Sequence, residues 1–231
     1  MDRTHPCGGC NVGSIPAEGT KRRSVALCYT QRMQEYQVRD FLLPALEGIS
    51  DTSVKAHVEL YAGYVKNFNA ITTLINTLAT SNDTSSTLAI AELTRRQSFE
   101  WGGMRLHELY FEQCEGGATA LSKESACAMA INTQYGNLDT LIAQLVRTGM
   151  MRGPGWSIAY YDAHAQKFHI GFSEEQHVGH FASLPVILAL DVWEHAYLLD
   201  HGTQGKRAYI DAFFKNVNWE VVEKRFAKAQ P

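Results

Sequence analysis

The sequence predicts an α+β protein in which an N-terminal α-helical hairpin is followed by a mixed α/β domain with a small three-stranded antiparallel sheet. Between residues 50 and 111, apolar residues recur at intervals of three and four, which is the period of an α-helix. Beyond residue 155 the pattern changes to short runs rich in aromatic and β-branched residues, which is typical of strands. The chain has 231 residues, of which 45% are hydrophobic, so it can bury one large core or two modest ones.

Two long helical stretches predict the hairpin. The first covers 50–79, where Ser50 and Asp51 are suitable N-cap residues, and the second covers 87–111. The polar break between them is short enough for the helices to pack antiparallel. The predicted divisions of the chain are a disordered or loosely ordered leader over 1–30, a hairpin domain over 31–117 and an α/β domain over 118–231.

The α/β domain combines helical periodicity with strand-like runs. Its predicted strands are 156–161, 167–172 and the continuous apolar run 185–190. Its predicted helical regions are 120–151 with an interruption at Gly136, 193–199, and 209 to the end of the chain.

The leader carries two features that invite a functional interpretation. Cys7 and Cys10 form a CxxC pair, but no second pair is present to complete a tetrahedral zinc site, so a mobile tail is favoured. Five scattered cysteines, an odd number, argue against a disulfide framework. The basic run at residues 21–23 leaves a twin-arginine-type or organelle address open.

Composition argues against two classes of partner. A formal net charge of −3 provides no broad basic field for nucleic acid. No stretch approaches the roughly 20 apolar residues that span a bilayer. We therefore expect neither nucleic-acid nor membrane binding, and a location in the cytoplasm or an organelle matrix.

The most informative motif is Asp191-x-x-x-His195, in which a carboxylate ends the third predicted strand and an imidazole follows four residues later. Both groups would lie at the mouth of the sheet, and both residue types bind metals. The spacing alone is weak, because an Asp cap beside a structural histidine is the more common explanation.

The identities of the surrounding residues are more specific. Residues 191–197 (DVWEHAY) resemble the signature of iron/manganese superoxide dismutases, in which the Asp and the His bind the metal. Stretches that are similar to the family in order and approximate spacing are 106–111, 153–156 and 209–219. The resemblance covers about residues 46 to 226 and implies that His107, Asp191 and His195 are metal ligands.

The first ligand departs from the family pattern. The family places a ligand histidine about eight residues after an Ile-Ser start, and a tyrosine at the site entrance eight residues later. Ile49-Ser50 leads to His57 with the expected count, but Tyr64 comes one residue early, so the resemblance implies a one-residue deletion. At about 100° per residue, His57, Tyr61 and Tyr64 still share a helix face.

The resemblance also implies an altered proton supply. The family commonly has a histidine four residues after the first ligand, bonded across a dimer to a tyrosine three residues after the last ligand. Tyr61 and Leu198 occupy these two positions here. The family's relay is therefore missing from this chain. The candidate catalytic groups are Tyr61, Tyr64 and Gln176.

The donor set fits a redox metal. Three imidazoles and one carboxylate suit iron or manganese, and the lack of thiolates argues against zinc–cysteine and iron–sulfur centres. The resemblance implies one ion per subunit, which cycles between +3 and +2 as superoxide becomes dioxygen and hydrogen peroxide.

A hydrogen bond to the solvent on the metal tunes the potential of such a centre. The family's two positions for this donor correspond here to Gly103 and Gln176, a combination that favours manganese slightly over iron. His177 and His180 are alternatives to Gln176 as this donor.

The resemblance assigns further roles around the centre. Trp156 and Trp193 match an aromatic wall, although any buried tryptophan gives the same pattern. Glu194 matches a residue that reaches the ligand histidine of a second subunit, so a homodimer or homotetramer through Glu194 and His195 is expected. Arg207 either steers the anionic substrate or is an ordinary solvated side chain.

Two other functions stay open on the sequence alone. Peroxidase-like or oxygenase chemistry could follow from the altered surroundings of the metal. A non-enzymatic structural relative would be marked by the loss of ligands, and all four are present.

Overall fold

In the computed structural model, which describes residues 35–81 and 83–230, two long helices form the predicted hairpin. The helix α1 spans Asp51–Leu78 and α2 spans Thr84–Glu112. The Ser50 side chain caps α1 by accepting a hydrogen bond from the Ser53 amide. The side chain of Asp83 caps α2, which therefore begins before the predicted position at residue 87.

The predictions for the leader, including Cys7, Cys10 and the basic run, lie outside the described residues. No helix in the described ranges is long and apolar enough to pass through a membrane.

Two shorter helices occupy most of the region that was predicted as helical over 120–151. The helix α3 spans Ala126–Tyr135 and α4 spans Leu138–Gly149. They separate at Gly136, where φ is 82°, a conformation that favours glycine. Residues 120–125 are not helical, because Ser125 caps α3 by accepting from the Ala128 amide.

The sheet has the predicted three antiparallel strands. They are β1 at Gly155–Asp162, β2 at Lys167–Glu174 and β3 at Val186–Asp191, in the order β2-β1-β3. The central strand β1 is buried along most of its length. Trp156 of β1 is paired with Asp191 of β3, so the register places an indole beside the carboxylate that ends β3.

Three helices complete the chain. They are α5 at Glu194–His201, α6 at Lys206–Lys215 and α7 at Trp219–Lys228. The region that was predicted as helical from 209 to the end is divided between α6 and α7. Asn218 interrupts it, because its side chain accepts from the Glu220 amide and begins a new helix.

A buried glutamine joins the hairpin to the sheet. Gln113, at the end of α2, is fully buried and pairs with both backbone groups of Ala189 in β3. This double hydrogen bond fixes the C-terminal end of α2 against β3. It therefore brings His107 close to Asp191. The predicted domain boundary at residue 117 stays a prediction.

Candidate metal centre

Four side chains from separate parts of the chain converge. The Oδ2 atom of Asp191 lies 3.1 Å from Nε2 of His57, 3.0 Å from Nε2 of His195 and 3.6 Å from Nε2 of His107. One candidate ligand atom from each residue lies within 4.8 Å of the other three. These are the four residues predicted as ligands from the sequence, and we refer to them as the ligand cluster.

The hairpin supplies two members of the cluster. His57 lies on α1, which is α-helical without interruption, so the seven-residue step from His57 to Tyr64 is about two turns. Both side chains therefore face the same side, and the Tyr64 ring lies 5.1 Å from the His107 ring. The shortened spacing thus preserves the approach of Tyr64 to the cluster.

The orientation of His107 is set by its own helix. Its Nδ1 atom lies 2.6 Å from the carbonyl oxygen of Gly103, and a carbonyl can only accept. Nδ1 therefore carries the proton, and Nε2 presents a lone pair toward Asp191. Among the described residues, this buried Nε2 atom has no hydrogen-bond partner. A buried polar atom without a partner is costly, and a cation in the cluster would satisfy it.

The charge states of the cluster suit metal binding. Burial lowers the pKa of His57, and burial together with the nearby His57 lowers the pKa of His107 to about 3. Burial raises the pKa of Asp191, but the charge of His195 and the hydrogen bonds from His195 and His57 outweigh it and leave the pKa well below its ordinary value. At neutral pH the cluster therefore offers an ionised carboxylate and two buried neutral imidazoles, the forms that bind metals.

The spacing of the cluster also fits a single ion. Two atoms bound to one ion at about 2.1 Å are about 3.0 Å apart at a right angle and about 3.6 Å apart at 120°. The three distances to Oδ2 of Asp191 fall in this range. Nitrogen and oxygen donors without thiolate are the set that suits iron or manganese.

A chain of hydrogen bonds, here called the polar chain, runs beside the cluster through Trp156, Gln176 and Tyr64. Nε1 of Trp156 donates to Oε1 of Gln176 over 2.7 Å, and Nε2 of Gln176 donates to the Tyr64 hydroxyl over 2.8 Å. Burial, followed by the charge of Asp191, raises the pKa of Tyr64 well above its ordinary value. Tyr64 therefore keeps its proton, and because Gln176 is the donor in their bond, that proton stays free for another acceptor.

The C-terminal part of the chain, residues 123–225, matches the family model described as iron/manganese superoxide dismutases, C-terminal domain. The superoxide dismutase [Fe] of Aquifex pyrophilus is 32% identical over 202 residues, which cover 85% of this chain and 93% of that protein. The chain belongs to the iron/manganese superoxide dismutase family.

Relatives with the same name, superoxide dismutase [Fe], come from distant organisms. The superoxide dismutase [Fe] of Saccharolobus solfataricus is 32% identical over 171 residues, covering 73% of this chain and 80% of that protein. That of Tetrahymena pyriformis is 30% identical over 178 residues, covering 75% and 89%. The similarity therefore extends well beyond the C-terminal region and includes the hairpin.

Two glycines make room for the polar chain in this member of the family. A Cβ atom on Gly103 would lie 2.4 Å from the Tyr64 ring, and one on Gly102 would lie 1.9 Å from the carbonyl oxygen of Gln176. From the sequence, Gly103 was interpreted only as a family donor position that lacks a donor side chain, and Gly102 was missed. The signal that could have found both is a Gly-Gly pair inside a helix, which usually marks close approach of another segment.

The two loop histidines, His177 and His180, follow Gln176 in the sequence and contact different neighbours. His180 contacts the carbonyl oxygen of Gln176, at 3.2 Å from its Nε2 atom, and the His177 ring packs 5.6 Å from the Phe99 ring. The side chain that bonds Tyr64 is that of Gln176, which is fully buried. Of the three candidates, the structure brings Gln176 into the polar chain.

Trp193 and Glu194 occupy the opening side of the cluster. The Trp193 ring is stacked on the His195 ring with centroids 5.8 Å apart, and its backbone amide donates to Oδ1 of Asp191 over 2.9 Å. Glu194 begins α5 and is exposed. The side chain of His195 keeps 25% of its surface exposed, whereas that of His107 is completely buried. The cluster is thus most accessible beside His195.

Two predicted residues have their contacts away from the cluster. The Tyr61 hydroxyl donates to Oε1 of Glu108 over 3.1 Å and accepts from the Arg39 amide. Arg207 lies on α6 and bonds both carboxylate oxygens of Asp211 over 3.0 Å. The structure therefore does not bring these two side chains together with the ligand cluster.

Proposed function

We propose that this chain is a superoxide dismutase, which converts two superoxide anions and two protons into dioxygen and hydrogen peroxide. The observation that carries the proposal is the convergence of three histidine Nε2 atoms on Oδ2 of Asp191. The relatives that cover most of the chain are themselves named superoxide dismutase [Fe], which supports the same reaction here.

His57, His107, Asp191 and His195 would hold one iron or manganese ion per subunit. When bound, the ion supplies one-electron chemistry by alternating between the +3 and +2 states. The relatives' name, superoxide dismutase [Fe], supports iron, whereas the pairing of Gly103 with a buried Gln176 supports the slight preference for manganese.

The protein groups provide charge balance and access. Three neutral imidazoles and one carboxylate contribute a single negative charge, so the loaded centre stays positive in both oxidation states and attracts an anion. The exposed portion of His195 gives the substrate its approach. The aromatic rings of Trp156 and Trp193 restrict water around the cluster.

The polar chain would manage protons. Tyr64 retains its proton at neutral pH and has it free for an acceptor, while Gln176 orients the hydroxyl. Because Trp156 fixes the amide of Gln176, the remaining donor capacity of that amide is available to solvent in the centre. Two protons are consumed for each hydrogen peroxide; the Tyr64 hydroxyl would pass protons on, and Gln176 would hold that hydroxyl in place by hydrogen bonding.

We further propose that the chain assembles as a homodimer or homotetramer through Glu194 and His195. Glu194 is exposed at the start of α5, next to the accessible edge of His195, where a second subunit can reach both. The location in the cytoplasm or an organelle matrix remains a prediction.

The decisive experiment measures metal content and superoxide consumption on the same preparation. We expect close to one iron or manganese per chain, and rapid removal of superoxide by stopped-flow absorbance. His195→Ala should lose both metal and activity, whereas the matched control His164→Ala changes an exposed turn histidine and should lose neither. A metal-loaded protein that leaves superoxide intact and oxidises organic donors with peroxide would contradict the proposal.

A further inference from the structure

The loop that follows β2 carries Gln176. Two neighbouring residues, Gly102 and His180, contact the backbone carbonyl oxygen of Gln176. The carbonyl oxygen of Gln176 approaches Gly102 of α2 so closely that a methyl group there would lie 1.9 Å away. On another side, Nε2 of His180 lies 3.2 Å from the same oxygen. Two contacts, one steric and one polar, therefore fix the position from which the Gln176 side chain starts.

The protonation of the His180 ring follows from its partners. The Gln176 carbonyl can only accept, so its 3.2 Å contact with Nε2 of His180 is a hydrogen bond when that nitrogen carries a proton. In the neutral ring, Nδ1 is then an acceptor, and the Tyr160 hydroxyl lies 2.7 Å from it. When the Tyr160 hydroxyl donates to Nδ1, it favours the tautomer that donates to Gln176.

The partners of His180 are anchored in the sheet. Tyr160 belongs to β1 and is 1% exposed, and Ser173 of β2 is fully buried with its Oγ 3.1 Å from Nε2 of His180. His180 itself is an exposed residue. An exposed side chain therefore connects the buried sheet to the backbone of the residue that bonds Tyr64.

We propose that His180 is a positioning residue for the centre, which uses its Nε2 proton to hold the Gln176 backbone so that the Gln176 amide meets Tyr64. This inference rests on the proposed function for its catalytic consequence. Gln176 orients Tyr64 over 2.8 Å, so a shift of its backbone by a few tenths of an ångström weakens that bond. His180 acts through Gln176 and has no described contact with the ligand cluster.

Two substitutions distinguish the role of Nε2 of His180 from that of Nδ1. His180→Gln places an amide N–H near the position of Nε2 and preserves a donor to Gln176, whereas His180→Asn reaches only the position of Nδ1 and keeps a partner for Tyr160. His180→Ala removes both groups. His164→Ala again serves as the exposed histidine control.

Three readouts are compared in metal-loaded protein: superoxide turnover, the midpoint potential of the metal, and hydrogen–deuterium exchange of the loop amides. We expect His180→Asn and His180→Ala to lower turnover about tenfold, as is common when a group that supports a metal site is lost. Both should also shift the potential and speed exchange near Val178, whose amide bonds Glu174. His180→Gln should stay within about twofold of the unmodified protein.

The outcomes distinguish this inference from the proposed function. Without superoxide turnover in the unmodified protein the proposed function fails, while the potential and the exchange still test His180. Equal potentials and exchange in His180→Asn and the unmodified protein would overturn the positioning role, and so would a loss in His180→Gln as large as that in His180→Asn. If His180→Ala does not fold, Tyr160→Phe replaces it, since it removes the hydroxyl that selects the tautomer and should give a smaller shift in the same direction.

Discussion

Two buried carboxylates, Asp191 and Glu108, are held in different ways. Glu108 is 4% exposed and has a cation from its own helix, because Arg105 pairs with one of its oxygens while Tyr61 donates to the other. Asp191 is fully buried among imidazoles, and one of these, His107, has an Nε2 atom without a described hydrogen-bond partner.

We interpret the Glu108 network as structural and the Asp191 cluster as a candidate metal site. A buried charge that has its counter-ion and its hydrogen bonds is complete within the protein, as Glu108 is. Asp191 instead lies beside an unsatisfied imidazole nitrogen, that of His107, which a cation bound in the ligand cluster would satisfy. Each site is centred on one buried carboxylate, so matched substitutions of the two carboxylates can test the comparison.

The largest effect is expected for Asp191→Asn, which removes the charge of the ligand cluster with little change in shape. Without that charge the site no longer balances a cation, and we expect loss of bound metal and a fall in superoxide turnover of about 100-fold or more. Metal analysis and stopped-flow assays check this. Full metal content in Asp191→Asn would contradict the interpretation that the carboxylate of Asp191, unlike that of Glu108, is needed for metal binding.

Glu108→Gln is the counterpart of Asp191→Asn in the network that Glu108 forms with Arg105 and Tyr61. It leaves Arg105 without its carboxylate partner, so we expect the free energy of unfolding to fall by about 2 kcal/mol. Metal content and turnover per metal should be unchanged. Denaturant unfolding and metal analysis measure the two quantities, and loss of metal in Glu108→Gln would show that this network also supports the centre.

Tyr61→Phe tests the same network at its hydroxyl and also tests the predicted catalytic role of Tyr61. Loss of the hydrogen bond to Glu108 should cost about 1 kcal/mol of unfolding free energy. The contacts of the hydroxyl favour unchanged turnover per metal. A severalfold fall in turnover at full metal content would instead support the catalytic assignment.

The smallest effect is expected for Arg207→Ala. The side chain is exposed and paired with Asp211, so its loss should change the free energy of unfolding by less than about 0.5 kcal/mol and the second-order rate constant by less than about twofold. Rate constants measured at low and high salt check this. A large fall confined to low salt would support a steering role for Arg207.

The ligand cluster could be predicted from the sequence because its residues lie in recognisable strings at the ends of strongly patterned elements. The helical period placed His57 and Tyr64 on one face, and the apolar run before Asp191 predicted the strand that ends there. These inferences need only local periodicity and the resemblance to a family. The convergence itself came from the resemblance, since no local rule joins residues 134 positions apart.

The surroundings of the cluster could not be predicted in the same way. Arg105 and Glu108 look like an ordinary surface pair on a helix, and only the packing of α1 shows that Glu108 is buried. The loop that carries Gln176 includes Glu175 in a left-handed conformation with φ of 53°. The residue type does not predict this, because Glu seldom adopts positive φ. Contacts such as that of Gly102 with Gln176 depend on where such loops turn.

The two hydrogen bonds between Gln113 and the backbone of Ala189 have a consequence for when the ligand cluster can assemble during folding. They link residues 76 positions apart, and the cluster links residues 134 positions apart, so both must wait for distant parts of the chain to meet. The complete set of donors can therefore form only after these distant segments have met. Under the proposed function, we therefore expect a folding chain to acquire its iron or manganese ion only after β3 has packed against α2.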